Sequence, residues 1–291
     1  MNLASRFPLS IVPALLCAAS VNAQVSTDRL LNANKEPQNW LSYSGSYLSQ
    51  RHSPLTQISP ENVKNLEMQW VFQARSLEKF EATPLVVDGV MYTVQAPNDV
   101  VALDAETGRE YWIYSYTPSA KSRPCCGRVN RGLAVAGDRL FMGTIDAHLL
   151  AVDARNGHPL WNIAVASPEA GYAITLAPLV IKDKVIIGVA GGEYGIRGFI
   201  AAYDIKTGKE AWKFYTIPGK GEPGNETWKG DTWQHGGASI WVTGSYDPDL
   251  NLTYWGTAQS KPWMRPSRGS GNGATLYANA CLLYTSPSPR D

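Results

Sequence analysis

The sequence predicts an all-β fold, a β-propeller assembled from four-stranded antiparallel blades, and three observations carry that prediction. One motif occurs three times, as VVALDAETGREYW at residues 100–112, LLAVDARNGHPLW at 149–161 and FIAAYDIKTGKEAW at 199–212. Its aspartates, Asp104, Asp153 and Asp204, recur about every 50 residues, a period that belongs to solenoids and propellers. Between the copies lie further hairpin patterns at 84–92, 133–141 and 178–187, so that each period holds two hairpins, the content of one four-stranded blade. Composition agrees: ten tryptophans and 26 glycines with few long charged runs suit many short strands separated by tight turns.

Each copy of the motif has a physical logic. A half-buried strand ends at Asp, whose carboxylate can cap the amides of the turn, and Gly supplies the positive φ that reverses the chain. Trp, four residues past Gly, then falls on the outgoing strand, where its large apolar body can wedge against the next unit.

Taken in order, the chain divides into four segments. Residues 1–23 read as a secretory signal, with Arg6, an apolar run over 7–19 and a small-residue cleavage pattern at Val21, Asn22 and Ala23. That run is too short to span a bilayer and no later stretch is long enough, so no membrane span is expected. Leu16 stands where a lipoprotein signal wants a small residue, so Cys17 is not expected to be lipidated. Residues 24–60 are a polar, turn-rich lead-in expected to dock on the domain. Residues 61–280 hold a partial propeller, because three or four blades do not close a ring alone. Residues 281–291 break the pattern and read as a truncated or foreign tail, with no role for Cys281. The formal charge of +1 gives no electrostatic basis for binding nucleic acid.

Within the propeller segment the adjacent pair Cys125 and Cys126 stands out. Neighbouring Cα atoms lie about 3.8 Å apart, whereas ordinary disulfides span roughly 4.4–6.8 Å, so a bond between them would be strained. It would also close no loop and so constrain little of the unfolded chain. Taken alone, the pair is more simply two reduced thiols in a surface loop or half of a metal site.

The surrounding motifs change that balance. The Asp-x-x-(Thr/Asn)-Gly-x-x-x-Trp repeats, the Cys125-Cys126 pair followed by Val129-Asn130-Arg131-Gly132, the glycine-rich run at 191–198 and the segment 254–263 occur in an order that resembles the N-terminal half of the quinoprotein alcohol dehydrogenases. These are eight-bladed propellers with tryptophan docking motifs that bind pyrroloquinoline quinone (PQQ). The resemblance runs from about Trp40 to Asn279. It implies that Cys125 and Cys126 form a disulfide platform on one face of the quinone and that Trp241 stacks on the other. Arg131 is implied to hydrogen-bond the quinone oxygens, a task suited to a planar, permanently charged guanidinium. Glu81 and Thr175 are implied cofactor contacts, and Gly191 and Gly192 let backbone amides approach the cofactor. Ala190 departs from the serine that some members carry. Glu193 and Gln259 are the implied ligands of Ca²⁺ or a lanthanide, hard ions that prefer oxygen donors. Gln259 replaces the usual Asn, which lengthens the stem by one methylene. The family's catalytic Asp is expected beyond the C-terminus, so no catalytic residue is assigned in this chain.

The resemblance therefore implies periplasmic oxidation of a small alcohol, or an aldehyde, with electrons passed to a c-type cytochrome. A different class of function, a cofactor-free propeller that acts as a periplasmic protein-binding scaffold, shares the blade repeats. The Cys pair, Glu193 and Trp241 discriminate, because a scaffold has no use for a sulfur ledge facing an indole.

Overall fold

A computed structural model describes residues 24–270 and 272–285; the signal segment and residues 286–291 lie outside the described residues. Three four-stranded antiparallel sheets follow one another, with strands paired in chain order. The first comprises β1 (Leu85–Val87), β2 (Val90–Gln95), β3 (Asp99–Asp104) and β4 (Glu110–Tyr114). The second comprises β5 (Ala134–Ala136), β6 (Arg139–Gly143), β7 (His148–Asp153) and β8 (Pro159–Ala164). The third comprises β9 (Leu179–Ile181), β10 (Lys184–Gly188), β11 (Phe199–Asp204) and β12 (Glu210–Tyr215). A fourth, three-stranded sheet holds β13 (Ser245–Asp247), β14 (Leu252–Gly256) and β15 (Cys281–Thr285). Residues 281–285 thus pair along β14, with Leu282 buried, while the Cys281 thiol is exposed and free.

The repeated motif builds the same local structure three times. β3, β7 and β11 each end on the motif aspartate, whose Oδ1 accepts turn amides: Thr107 N at 2.8 Å for Asp104, Arg155 N at 2.8 Å for Asp153 and Thr207 N at 2.9 Å for Asp204. Gly108, Gly157 and Gly208 follow at φ +72°, +73° and +70°. Each motif strand then shifts register by one residue, after Ala102, Ala151 and Ala202, and these alanines pair with Trp112, Trp161 and Trp212. The small residue opposite each indole leaves the ring free to lean away from its own sheet.

It leans onto the next turn. A Cβ placed on Gly157 would stand 2.5 Å from Trp112 Cε3, and one on Gly208 would stand 3.1 Å from Trp161. Trp70 makes the same approach to Gly108, 2.5 Å from a Cβ there. Glycine is therefore required twice over at these turns, for positive φ and for the ring that lies on its Cα. The Trp161 indole N–H also donates to Ile205 O at 3.3 Å, within the following turn.

In each four-stranded sheet the first three strands are largely buried, β5 and β9 wholly, whereas the last strands β4, β8 and β12 hold only exposed and half-buried residues. First strands face one another, and the segments leading into them are bonded sideways. Thr83 N donates to Arg131 O, and Arg131 N to Thr175 O, both at 3.1 Å. The lead-in straps the opposite ends. Val25 pairs with Gly137, Trp40 with Val86, the Tyr47 hydroxyl donates to Val180 O at 2.8 Å, and Tyr47 O accepts from Tyr246 N at 2.9 Å, so one segment touches all four sheets. Arg29 secures it through Glu36 and Asp88, the latter in the β1–β2 turn.

Two outcomes follow from this packing. Replacing Gly157 by Ala forces a Cβ against the Trp112 ring at positive φ, and urea denaturation is expected to show a loss of about 2–4 kcal/mol; an unchanged midpoint would mean that the ring does not dock there. The turn carboxylates also confer acid sensitivity. Tyr111 and the Thr107 amide hold Asp104 at a pKa of about 2, Arg155 lowers Asp153, and Thr207 lowers Asp204. Folded values lie below the unfolded value of 3.8, so the stabilisation is complete above about pH 4 and is lost as pH falls toward 2. Tm measured against pH should drop across that window, and less steeply in an Asp104→Asn variant.

Candidate functional site

At the end of the molecule where the first strands begin, a cavity of about 320 Å³ opens among loops from all four sheets. Its residues occupy related places in the repeat. Glu81, Thr175 and Trp241 each lie four residues before the first strand of their sheet, and Arg131 lies three before β5. Lateral backbone hydrogen bonds join the approach segments of the first three sheets, and the Thr243 hydroxyl donates to Ala177 O at 2.7 Å from the fourth, which brings chemically dissimilar residues to one place.

Cys125 and Cys126, bonded to each other with Cα atoms 3.8 Å apart, form part of the wall, on the loop between β4 and β5. Cys126 adopts φ +69°, and its carbonyl accepts from Lys79 Nζ at 3.0 Å. Val129 and Asn130 beside them are buried, and the Asn130 side chain ties the loop down, donating to Gly143 O at 2.8 Å and accepting from Gly132 N at 2.9 Å. Trp241 lines the same cavity with 44% of its surface open, the exposure of a ring at a mouth rather than of a core indole.

Arg131 stands between these groups. Its guanidinium pairs with Glu81 at 2.8 Å, donates to Thr175 O at 3.2 Å and lies 5.0 Å from the centroid of the Trp241 ring. The carboxylate, the carbonyl and the ring face fix its plane from three sides, which leaves a cation held rigidly at the cavity wall. Thr175 itself is buried.

The loop between β10 and β11 supplies Ala190, Gly191 and Glu193. Gly191, at φ +111°, packs so closely on the preceding loop that a Cβ would meet Gly171 O at 2.0 Å. Gly192, buried alongside, opens the single turn Gly192–Tyr194 that presents Glu193 to the cavity. From the fourth sheet, the segment after β14 brings Gln259, Lys261 and Trp263. Lys261 Nζ lies 2.9 Å from Glu193 Oε1 and 4.0 Å from the centroid of the Trp263 ring.

Of the ten residues assigned from the sequence, nine line this cavity and the tenth, Gly192, forms the turn that carries Glu193. Sequence reasoning gave no role to Ser239, Lys261 or Trp263, which line it too. Lys261 carried one readable signal: it is a lone cation two residues past Gln259 in a segment of small and apolar residues, so both side chains could face the same way.

The donor set suits one implied group better than the other. A cavity lined by an indole, a sulfur pair, a braced guanidinium and a buried threonine suits a flat, anionic, aromatic ligand. A hard metal ion meets a different reception. Glu193 and Gln259 offer oxygen donors, but one Glu193 oxygen already holds the Lys261 ammonium. As arranged, the socket does not fit a Ca²⁺ or lanthanide ion. No helix among the described residues is long and apolar enough to cross a membrane.

Residues 40–281 match the family model described as PQQ, glucose/ethanol/alcohol dehydrogenase, beta-propeller domain. The quinohemoprotein alcohol dehydrogenase ADH IIB of Pseudomonas putida is 40% identical over 94% of this chain and 42% of its own length. A lanthanide-dependent methanol dehydrogenase of Methylacidiphilum fumariolicum (strain SolV) is 39% identical over 92% of the chain and 48% of its own length. Among solved structures, the quinohemoprotein alcohol dehydrogenase ADHIIG of Pseudomonas putida HK5 superposes with a TM-score of 0.89 at 39% identity, over 93% of this chain and 42% of that one. The chain thus spans less than half the length of these relatives. With four sheets arranged as propeller blades and a match covering most of its residues, the chain belongs to the PQQ-dependent alcohol dehydrogenase family.

Proposed function

We propose that this chain is the quinone-binding part of an alcohol dehydrogenase, and that the whole protein oxidises a small alcohol or aldehyde with PQQ as its cofactor. One observation supports this most strongly: the Cys125–Cys126 ledge and the Arg131 guanidinium, from the loop before β5, and the Trp241 ring, from the approach to β13, line a single cavity. When bound, the quinone supplies a two-electron acceptor that no side chain can provide.

The residues of this chain would bind and orient that acceptor. Trp241 would contribute a broad apolar face and the sulfur pair a second wall against a planar ring. Arg131, already braced by Glu81 and Thr175 O, presents donors in a fixed plane toward ring oxygens; it would stabilise negative charge as that ring gains electrons. Thr175 would offer a hydroxyl to a cofactor carboxylate, and Gly191 and Gly192 would let backbone amides approach the cofactor. Glu193 and Gln259 are the proposed metal ligands, open to an ion only once the Lys261 ammonium leaves the carboxylate. None of these cavity residues is proposed as the proton acceptor for the alcohol. A c-type cytochrome is the proposed electron acceptor, and the periplasm, reached through the signal at residues 1–23, the proposed compartment.

Titration with PQQ, followed by quenching of tryptophan fluorescence and by the quinone absorbance, tests the binding step. Trp241→Ala is expected to weaken binding about tenfold to hundredfold, a loss of about 1–3 kcal/mol. Arg131→Lys should also weaken it, because an ammonium cannot reproduce the planar donor array. Should the unaltered chain bind no PQQ, the cofactor-free scaffold becomes the better reading.

A further inference from the structure

Lys261 is built into the cavity in a way that surface lysines are not. Its side chain is only 8% exposed, against 39% for its partner Glu193. Two glycines form a groove for the stem: a Cβ on Gly237 would stand 2.5 Å from Lys261 Cγ, and one on Gly192 would stand 3.7 Å from Cε. The backbone is pinned at the same point, with Lys261 N donating to Gly236 O at 2.8 Å. At the far end the ammonium meets the Glu193 carboxylate on one side and the Trp263 ring on the other, at 2.9 and 4.0 Å. Stem, backbone and head are therefore each fixed by a separate contact.

This arrangement has a consequence for any ion that seeks the same carboxylate. A partly buried carboxylate is costly to leave unpaired, and an ammonium held against it satisfies that charge without any external ion. A hard cation that approaches Glu193 must either displace the ammonium from its groove or sit beside it, where two positive charges a few Å apart repel in a medium less screened than water. We infer that Lys261 is a tethered cation that occupies the Glu193 socket and sets whether a metal ion can enter: the site binds metal weakly while Lys261 is in place and much more tightly when its charge is removed. The inference rests on the proposed reading of Glu193 as a metal ligand and goes beyond it by naming the group that competes for it. Because the competition is electrostatic, a trivalent ion should feel it at least as strongly as a divalent one.

Terbium(III) serves as the probe, since indoles in the cavity wall can sensitise its luminescence on binding. In titrations of the purified chain, Lys261→Met is expected to bind terbium at least tenfold more tightly than the unaltered protein. Lys261→Arg, which keeps the charge, should remain as weak as the unaltered protein, and Lys261→Met with Glu193→Gln should lose the gain. Equal affinity for the unaltered chain and Lys261→Met overturns the inference, as does tight binding by Lys261→Arg or a gain that survives Glu193→Gln. Far-ultraviolet circular dichroism of each variant separates these results from misfolding, and should Lys261→Met not fold, Lys261→Gln takes its place with the same expectation. A parallel PQQ titration keeps the two readings apart. Loss of PQQ binding in every protein counts against the cofactor assignment, while the terbium series decides the role of Lys261 by itself.

Discussion

An indole lying flat on the Cα of a glycine in the next turn is the contact on which the rest of this structure depends. Trp70 on Gly108, Trp112 on Gly157 and Trp161 on Gly208 repeat it at successive sheet boundaries. Each sheet alone is a small antiparallel unit with two faces to cover, and the ring seals the outer part of the boundary while aliphatic side chains fill the inner part. Because the ring is large and the glycine offers no side chain to push it away, the contact permits only a narrow range of angles between sheets. That fixed angle is what sets the first strands side by side. Segment 66–75, which carries Trp70, shows the same principle from the other direction: it docks its indole on Gly108, yet Leu66, Met68 and Val71 point outward, exposed.

The cavity is a product of that convergence. Four approach segments of different sequence meet because they share one place in the repeat, and sideways bonds from Thr83 to Arg131 and from Arg131 to Thr175 lock three of them together. The regular part of the fold thus supplies position, and the departures from regularity supply chemistry. The approach positions 81, 131, 175 and 241 carry an acid, a guanidinium, a hydroxyl and an indole, a different chemistry from each sheet.

Charge in the cavity is arranged in two pairs. Arg131 with Glu81 lies by the sulfur ledge and the Trp241 ring, and Lys261 with Glu193 lies by Trp263. Each pair couples an acid from one sheet to a cation from another, so the walls are neutral overall while offering directional donors and acceptors. An aromatic face accompanies each cation, at 5.0 Å for Arg131 and 4.0 Å for Lys261, which limits how far either head can swing. A ligand that enters must compete with these internal partners, and the pairs therefore act on selectivity as much as on affinity.

The sequence by itself determined the blade architecture, because the Asp, Gly and Trp of the repeat each answer a local requirement that any reader of backbone chemistry can name: a cap, a positive φ, a ring to dock. It also determined most of the cavity's residues, since the motifs around Cys125, Arg131, Thr175, Glu193, Trp241 and Gln259 carry them in order. Tertiary structure alone decided who is paired with whom. Neither the Glu81–Arg131 pair, 50 residues apart in the chain, nor the Lys261–Glu193 pair, 68 apart, leaves any trace in local spacing. Such pairs form across sheet boundaries, where distance is set by the packing of indoles on glycines elsewhere in the fold. The state of the socket therefore depends on long-range packing, which no window along the chain contains.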